Sequence, residues 1–248
     1  MKHQFQTLLA LFLLLIITFP ASPQDTDEST EGPESIAEAT ENSDRISGLF
    51  TIYRDRKTGT THMEITPAQL DQEYIYVAVS TDGVVEGGYF RGRYRDNRIL
   101  SFTRHFDKIE IRSENTAFYF NPESPLSRAA RANISQGLLA SESIVVEDEE
   151  TGNVLINIDE VFASESLLQV KASPDPDEEP GDSFTLGDLS EEKSKITEIR
   201  NYPLNTDVHV EYVYQNPAPT VRGNDDITDS RYVSIYMQHS FVSMPKNK

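Results

Sequence analysis

Alternation of polar and apolar side chains is the feature that most limits how this chain can fold. It is clearest over Thr206–Val213, where Val208, Val210 and Tyr212 alternate with charged or polar residues. Successive side chains of a β-strand point to opposite faces of a sheet, so this period predicts a strand with one buried face. Extended patterns also cover residues 49–53, 60–65, 74–80, 99–106, 109–112, 143–147, 154–158, 196–200 and 231–239. They predict a mainly β (α+β) fold, an antiparallel meander or sandwich-like sheet.

Helical periodicity is confined to a few segments. Ser124–Ala140 is the one clear helix that the sequence predicts, because its apolar residues recur at helical spacing after Pro125. Thr66 followed by Pro67 is a typical helix start and predicts one short turn. A second short helix is predicted within Asp159–Leu168.

The N-terminal part of the chain predicts export. Residues 1–24 resemble a signal peptide, with Lys2 at the start, an apolar run over Leu8–Phe19 and small or helix-breaking residues after it. The apolar run is shorter than a membrane-spanning helix, so no transmembrane anchor is expected after cleavage. An uncleaved anchor is the alternative. The protein is expected in the periplasm, associated with the outer membrane, or secreted.

The charge of the next segment separates it from the rest of the chain. Asp25–Asp44 holds eight acidic and no basic residues, and Ile36 is its only large aliphatic side chain. Such a segment cannot bury enough apolar surface to fold, so residues 25–45 are predicted to be a disordered acidic spacer. Residues 46–248 are then the β-rich domain.

Arg91–Arg112, with seven basic and three acidic residues, is the local exception to the formal net charge of −19. Tyr89–Arg95 alternates strictly, which predicts a strand with Tyr89, Arg91, Arg93 and Arg95 on one face. An ordinary charged sheet face or a docking surface for a protein partner would account for it. A nucleic-acid surface is disfavoured, because the chain as a whole has 41 acidic and 22 basic residues.

Few residues are available for chemistry. The chain has no cysteine, which excludes disulfides, thiolate metal sites and thiol nucleophiles. It contains no H-E-x-x-H, G-x-S-x-G or P-loop motif, and the histidines at 62, 105, 209 and 239 are isolated in sequence. Acidic groups near residues 175–182 and 224–226 lack the spacing of a calcium loop. We therefore predict no catalytic, cofactor-binding or metal-binding residue.

Five ordered segments carry a resemblance to a known family. They read G-L-F-T-I-Y-R-D with K-T-G, I-T-P-A-Q-L-D-Q-E-Y-I-Y-V, F-T-R with K-I-E-I, Y-P-L-N-T-D-V, and Q-H-S-F with M-P, and they lie at residues 48–59, 65–77, 102–111, 202–208 and 238–245. This set resembles a bacterial domain of unknown function that precedes the catalytic region of large exported zinc-dependent metalloproteases.

The resemblance implies a role without catalysis. In such proteases the zinc-binding H-E-x-x-H helix lies downstream of this domain, beyond Lys248, so no catalytic residue is carried over to this sequence. The expected function is a non-catalytic accessory domain whose partner is the metalloprotease catalytic domain, in the same chain or in another. The alternatives are a cell-envelope binding or assembly module that contacts its partner through Arg91, Arg93 and Arg95, and a hydrolase built from carboxylates.

Overall fold

The computed structural model describes residues 33–118, 121, 123–127, 134–173, 177 and 183–246. Twelve strands form one antiparallel sheet, which confirms the mainly β prediction. The strands are β1 (Ser43–Ile46), β2 (Thr51–Asp55), β3 (Thr61–Ile65), β4 (Glu73–Asp82), β5 (Tyr94–His105), β6 (Lys108–Ser113), β7 (Gly137–Glu147), β8 (Val154–Asn157), β9 (Asp188–Leu189), β10 (Lys195–Tyr202), β11 (Asn205–Gln215) and β12 (Tyr232–Ser243). Among the described residues, the helices α1 (Ile36–Ala39) and α2 (Asp159–Ala163) and a 3₁₀ turn at Pro67–Gln69 accompany them.

The order of strands across the sheet is β1-β2-β3-β8-β7-β6-β5-β4-β12-β11-β10, and β9 pairs with β11. The sheet curls until its two ends meet. The amide of Leu49, just before β2, donates to the carbonyl of Tyr202 in β10 at 2.7 Å. The side-chain amide of Asn201 donates to the carbonyls of Ile46 and Phe50 at 2.9 and 2.6 Å. These bonds join the first and last strands of the sheet order around a common core.

The β2–β3 and β7–β8 hairpins have the same type of turn. Asp55 and Asp148 each accept hydrogen bonds from two backbone amides and a threonine hydroxyl in the turn that follows. Gly59 and Gly152 close these turns with φ of 79° and 70°, a conformation that favours glycine. The D-x-x-T-G pattern therefore joins β2 to β3 and β7 to β8, and β3 pairs with β8.

The helix predicted over Ser124–Ala140 is wrong at its C-terminal end. Gly137–Ala140 belong to β7 and pair with β6, with Ala140 opposite Ile111 and Gly137 opposite Ser113. Leu126 and Ser127 are helical, and residues 128–133 lie outside the described residues. Cross-strand pairing with β6 outweighs the helical spacing of the leucines, because intrinsic helix propensity is weak compared with tertiary contacts. The short helical turns near Thr66 and Asp159 are confirmed.

The strand predicted over Tyr89–Arg95 is also wrong for most of its length. Residues 89–93 form a turn, and β5 begins at Tyr94 and runs without a break through Asp96 and Asn97. Gly88 and Gly92 have φ of 75° and 82°, which is incompatible with an extended strand. The arginines of this segment therefore do not share one strand face.

The folded part of the chain starts earlier than the spacer prediction places it. Ser35 caps α1 through its hydroxyl, which accepts from the amide of Glu38 at 3.2 Å. Ile36 is buried with Val146 and Leu155, so one aliphatic side chain ties this acidic segment to the sheet. The first 32 residues, including the predicted signal peptide, lie outside the described residues. Within the described part, no helix is long and apolar enough to cross a membrane.

Candidate functional site

The five segments that carry the family resemblance meet in one aromatic cluster and its surroundings. Phe50, Tyr74, Phe102 and Phe241 come from four of these segments, and all four side chains are buried. The ring of Phe50 lies 5.1, 5.2 and 6.2 Å from the rings of Tyr74, Phe102 and Phe241, centroid to centroid. The tilted and edge-to-face arrangements are those that aromatic pairs favour. These aromatic motif residues therefore build the core.

The fifth segment, 202–208, reaches the first one at the junction of the sheet ends. Thr206 is buried, and its hydroxyl donates to the side-chain oxygen of Asn201 at 2.7 Å. The side-chain amide of Asn201 in turn holds the carbonyl of Phe50. A Cβ added to Gly48 would fall within 2.2 Å of the Asn201 side chain, so the backbone at this position packs directly against Asn201. The motif residues at this junction keep the curled sheet closed.

His239 is a fully buried titratable group in this region. It lies on β12 between β4 and β11, and its solvent exposure is zero. The hydroxyl of Tyr76 lies 2.7 Å from Nδ1, and the hydroxyl of Tyr212 lies 2.9 Å from Nε2. A neutral imidazole donates through one nitrogen and accepts at the other, so an uncharged His239 donates to one tyrosine hydroxyl and accepts from the other. The ring of Phe162 lies 5.6 Å from the imidazole, centroid to centroid, in an edge-to-face arrangement.

Burial sets the protonation of this triad, which consists of Tyr76, Tyr212 and His239. Desolvation lowers the pKa of His239 from 6.5 to about 3, because the charged imidazolium would have no water around it. Burial also raises the pKa of both tyrosines, so they remain protonated. The triad is thus a neutral hydrogen-bonded unit within the core, where a substrate cannot reach it.

We expect the imidazole of His239 to stay neutral in the folded protein from pH 8 to pH 5. The unfolded chain binds its proton near pH 6.5, whereas the folded chain does so only near pH 3. The unfolded state then holds more protons between these values, so the free energy of unfolding falls as the pH drops from 6.5 towards 3. Imidazole ¹H–¹⁵N spectra measure this directly, and the same residue in urea is the control. A folded-state signal that moves between pH 8 and 5 contradicts the expectation.

The other described histidines do not join this triad. His62 and His209 are half-buried, and burial lowers the pKa of each. Each has one buried ring nitrogen without a hydrogen-bond partner, Nδ1 in His62 and Nε2 in His209. Among the described residues, no three or more histidines, aspartates and glutamates lie close enough to hold a metal ion.

The three arginines predicted to form a docking surface have separate environments. Arg95 donates to the carbonyl of Val170 at 2.9 Å and lies over the ring of Tyr89 at 4.9 Å. The guanidinium of Arg93 donates to the carbonyl of Gly88 and so stabilises the turn in which Arg93 itself lies. The side chain of Arg91 is 79% exposed, lies 3.5 Å from Asp82 and donates from Nε to the carbonyl of Thr81 at 3.1 Å. Arg91 and Arg93 are both exposed, whereas Arg95 is partly buried, so the first two remain accessible to a partner.

A polar cleft of about 260 Å³ lies beside Arg91. Thr81 and Thr197 contribute to its wall, and both stand at irregularities where β4 and β10 gain one residue relative to their neighbours. Such bulges redirect side chains and are common at functional sites. The charged groups around the cleft are paired within the chain, Arg91 with Asp82 and Glu198 with Arg200. The remaining lining residues are His209, Val210 and Tyr236.

The triad was not identified from the sequence, although one signal points to it. His239 falls on the same face of its strand as Ile235, Met237 and Phe241, which places it among buried residues. Its tyrosine partners come from strands 163 and 27 residues away. Alternation could therefore have identified a buried histidine, but not the hydroxyls that satisfy it.

Comparison with known proteins places part of the chain in a family. A family model described as "Domain of unknown function (DUF5117)" matches residues 92–248, which covers β5 through β12. No curated protein and no solved structure matches the chain.

Proposed function

The chain belongs to the DUF5117 family of domains of unknown function, and from this premise we propose that it is a non-catalytic accessory domain of an exported zinc-dependent metalloprotease. Its task is to bind and support the catalytic domain, in the same chain or in another. Zinc in this proposal belongs to the partner, which carries it on an H-E-x-x-H helix. The first 24 residues would direct the chain out of the cytoplasm, to the periplasm, the outer membrane or the medium.

The proposal rests on where the fold places the segments that resemble the protease-associated domain: their aromatic residues pack together in the core. Phe50, Tyr74, Phe102 and Phe241 pack on one another, and His239 is closed off by two tyrosines. Residues that resemble the protease-associated domain thus specify a rigid, curled sheet, as an accessory scaffold requires. A scaffold acts through its surface, where Arg91 and its cleft are accessible.

We expect residues 25–248 to leave casein intact with or without added zinc. Mixed with a separately purified H-E-x-x-H catalytic domain from the same organism, they should form a one-to-one complex in size-exclusion chromatography. Casein cleavage by residues 25–248 alone that a chelator stops would overturn the proposal. Failure to form the complex would also overturn it and leave the cell-envelope binding module, which exposed Arg91 favours, as the remaining candidate.

A further inference from the structure

Phe106 stands out among the apolar side chains of the surface. It occupies the two-residue turn between β5 and β6 together with Asp107. The residue is 82% exposed, more than any other large apolar residue that the structure describes. Its ring lies 4.8 Å from the ring of the neighbouring His105, centroid to centroid, in an edge-to-face arrangement. The fold therefore gains little from burying this side chain.

The backbone of Phe106 is held in an unfavourable conformation. Its φ is 54°, in the left-handed region that bulky residues rarely adopt. Hairpin turns of two residues that need positive φ only at the first position normally have glycine there. Such a conformation persists only where the surroundings enforce it, and it is concentrated at functional sites. An exposed phenylalanine thus stands where glycine would suit the fold better.

The surroundings of the turn enforce this conformation. Arg104 donates from Nε to the carbonyl of Phe106 at 2.9 Å. The same guanidinium forms two parallel bonds of 2.7 Å with the carboxylate of Glu147 on β7. The amide of Ile144 donates to the carbonyl of Asp107 at 2.8 Å. The turn is therefore fixed on both sides, and the phenyl ring is presented from a rigid base.

We propose that Phe106 is the anchor residue through which this domain binds a protein that carries an apolar pocket. A rigid, presented aromatic side chain loses little conformational entropy on binding, and aromatic residues are common among the side chains that dominate interfaces. The bidentate pair of Arg104 and Glu147 lies beside it as a polar rim. The inference deepens the proposed function and relies on it for the identity of the partner.

A lipid surface fits this turn less well. The turn presents a single aromatic ring, and the chain carries a formal net charge of −19, which opposes contact with anionic lipids. Asp107, Glu142 and Glu147 lie near the turn and outnumber Arg104 and Lys108. One buried side chain gives only weak membrane attachment, whereas it is enough to anchor a specific protein interface.

The Phe106→Gly variant of the full chain tests the structural premise. Since glycine relieves the strain, we expect its melting temperature to rise by roughly 2–4 °C. Leu204→Gly is the matched control, because Leu204 is also exposed in a hairpin turn but has no positive φ. This control should lower the melting temperature. A lower melting temperature for Phe106→Gly would mean that the ring stabilises the fold, and would overturn the proposal.

Measurements of binding affinity test whether Phe106 anchors the partner. For the full chain and an H-E-x-x-H catalytic domain, Phe106→Gly should raise Kd by about ten- to a hundredfold, and Leu204→Gly should change it less than threefold. Equal binding by both variants overturns the role of Phe106 and leaves the proposed function intact.

If the catalytic domain does not bind the unaltered chain, the proposed function fails, and crosslinking then decides the role of Phe106. Phe106 or Leu204 is replaced by the photo-reactive p-benzoylphenylalanine in the producing cells. A protein adduct at position 106 alone, with a partner whose purified form loses affinity for Phe106→Gly, supports the anchor. An adduct with lipid or with a second copy, the same adduct at both positions, or no adduct overturns it.

Discussion

Residues 92–248, expressed without the preceding part of the chain, are expected to show no cooperative unfolding transition. The family match begins at Gly92, in the turn that precedes β5. In the folded chain, β4 lies between β5 and β12 and pairs with both. Without β4, the edges of β5 and β12 that pair with it would have no hydrogen-bonding partner.

This truncation removes a large part of the hydrophobic core. Residues before Gly92 supply large, fully or almost fully buried side chains: Phe50, Ile52, Met63, Ile65, Tyr74 and Tyr76. At about 1.5–3 kcal/mol for each buried side chain, their loss is comparable with the typical total stability of about 5–15 kcal/mol. The family match is therefore shorter than the unit that folds.

Near-ultraviolet circular dichroism and urea titration measure this difference. Residues 33–248 are the control, since they include every described strand and should unfold in one transition. A sharp, single transition for residues 92–248 with the same midpoint as this control would show that β1 to β4 are dispensable, against our expectation.

His239→Ala is expected to lower the free energy of unfolding by about 4 kcal/mol. The substitution leaves the hydroxyls of Tyr76 and Tyr212 buried without a partner, at about 1–3 kcal/mol each, and it opens a cavity against Phe162. Urea unfolding at pH 7 measures the change. His209→Ala is the control, because Nε2 of His209 has no hydrogen bond to lose.

A triple variant separates hydrogen bonding from packing. Tyr76→Phe, Tyr212→Phe and His239→Leu together remove every polar group of the triad while keeping most of its volume. Replacing all partners by apolar groups is often nearly neutral, so the triple variant should recover most of the lost stability. A triple variant as unstable as His239→Ala would show that shape rather than hydrogen bonding decides the stability of this site.

Local patterns were enough to predict most of the strands. The β2–β3 hairpin and the connection from the end of β7 to β8 follow from extended patterns on either side of a D-x-x-T-G turn, which are neighbours in sequence. Strand β11 follows from its strict period, and every second side chain is buried as predicted. In such cases the local pattern and the tertiary environment favour the same conformation.

Errors arose where local pattern and tertiary contacts disagreed. Tyr89 and Arg95 belong to an alternating pattern, yet the carbonyl of Val170 accepts hydrogen bonds from both side chains. That carbonyl comes from a segment some 80 residues away, which the pattern cannot report. Leu138 misleads in the same way: it belongs to the helical pattern, yet it lies in β7 and pairs with Arg112 of β6.

The candidate sites depend on long-range geometry in different degrees. Burial of His239 could be predicted because it falls on the buried face of an alternating strand, but its two tyrosine partners could not. The exposure and the positive φ of Phe106 could not be predicted from the sequence, because they depend on the register of β5 with β6 and on the ion pair between Arg104 and Glu147 of β7. The link to a metalloprotease is a prediction from resembling segments, and the experiments above test it.

The placement of β12 has a consequence for the order in which the chain acquires its structure. β12 is the last of the described strands, and it pairs with β4, about 160 residues earlier. During synthesis, β4 emerges long before the strand that completes its edge, so the core around Tyr76 stays open until residues 232–243 have been made. Non-local pairing of this kind folds slowly. The core of this domain is therefore incomplete in the nascent chain until β12 has been made.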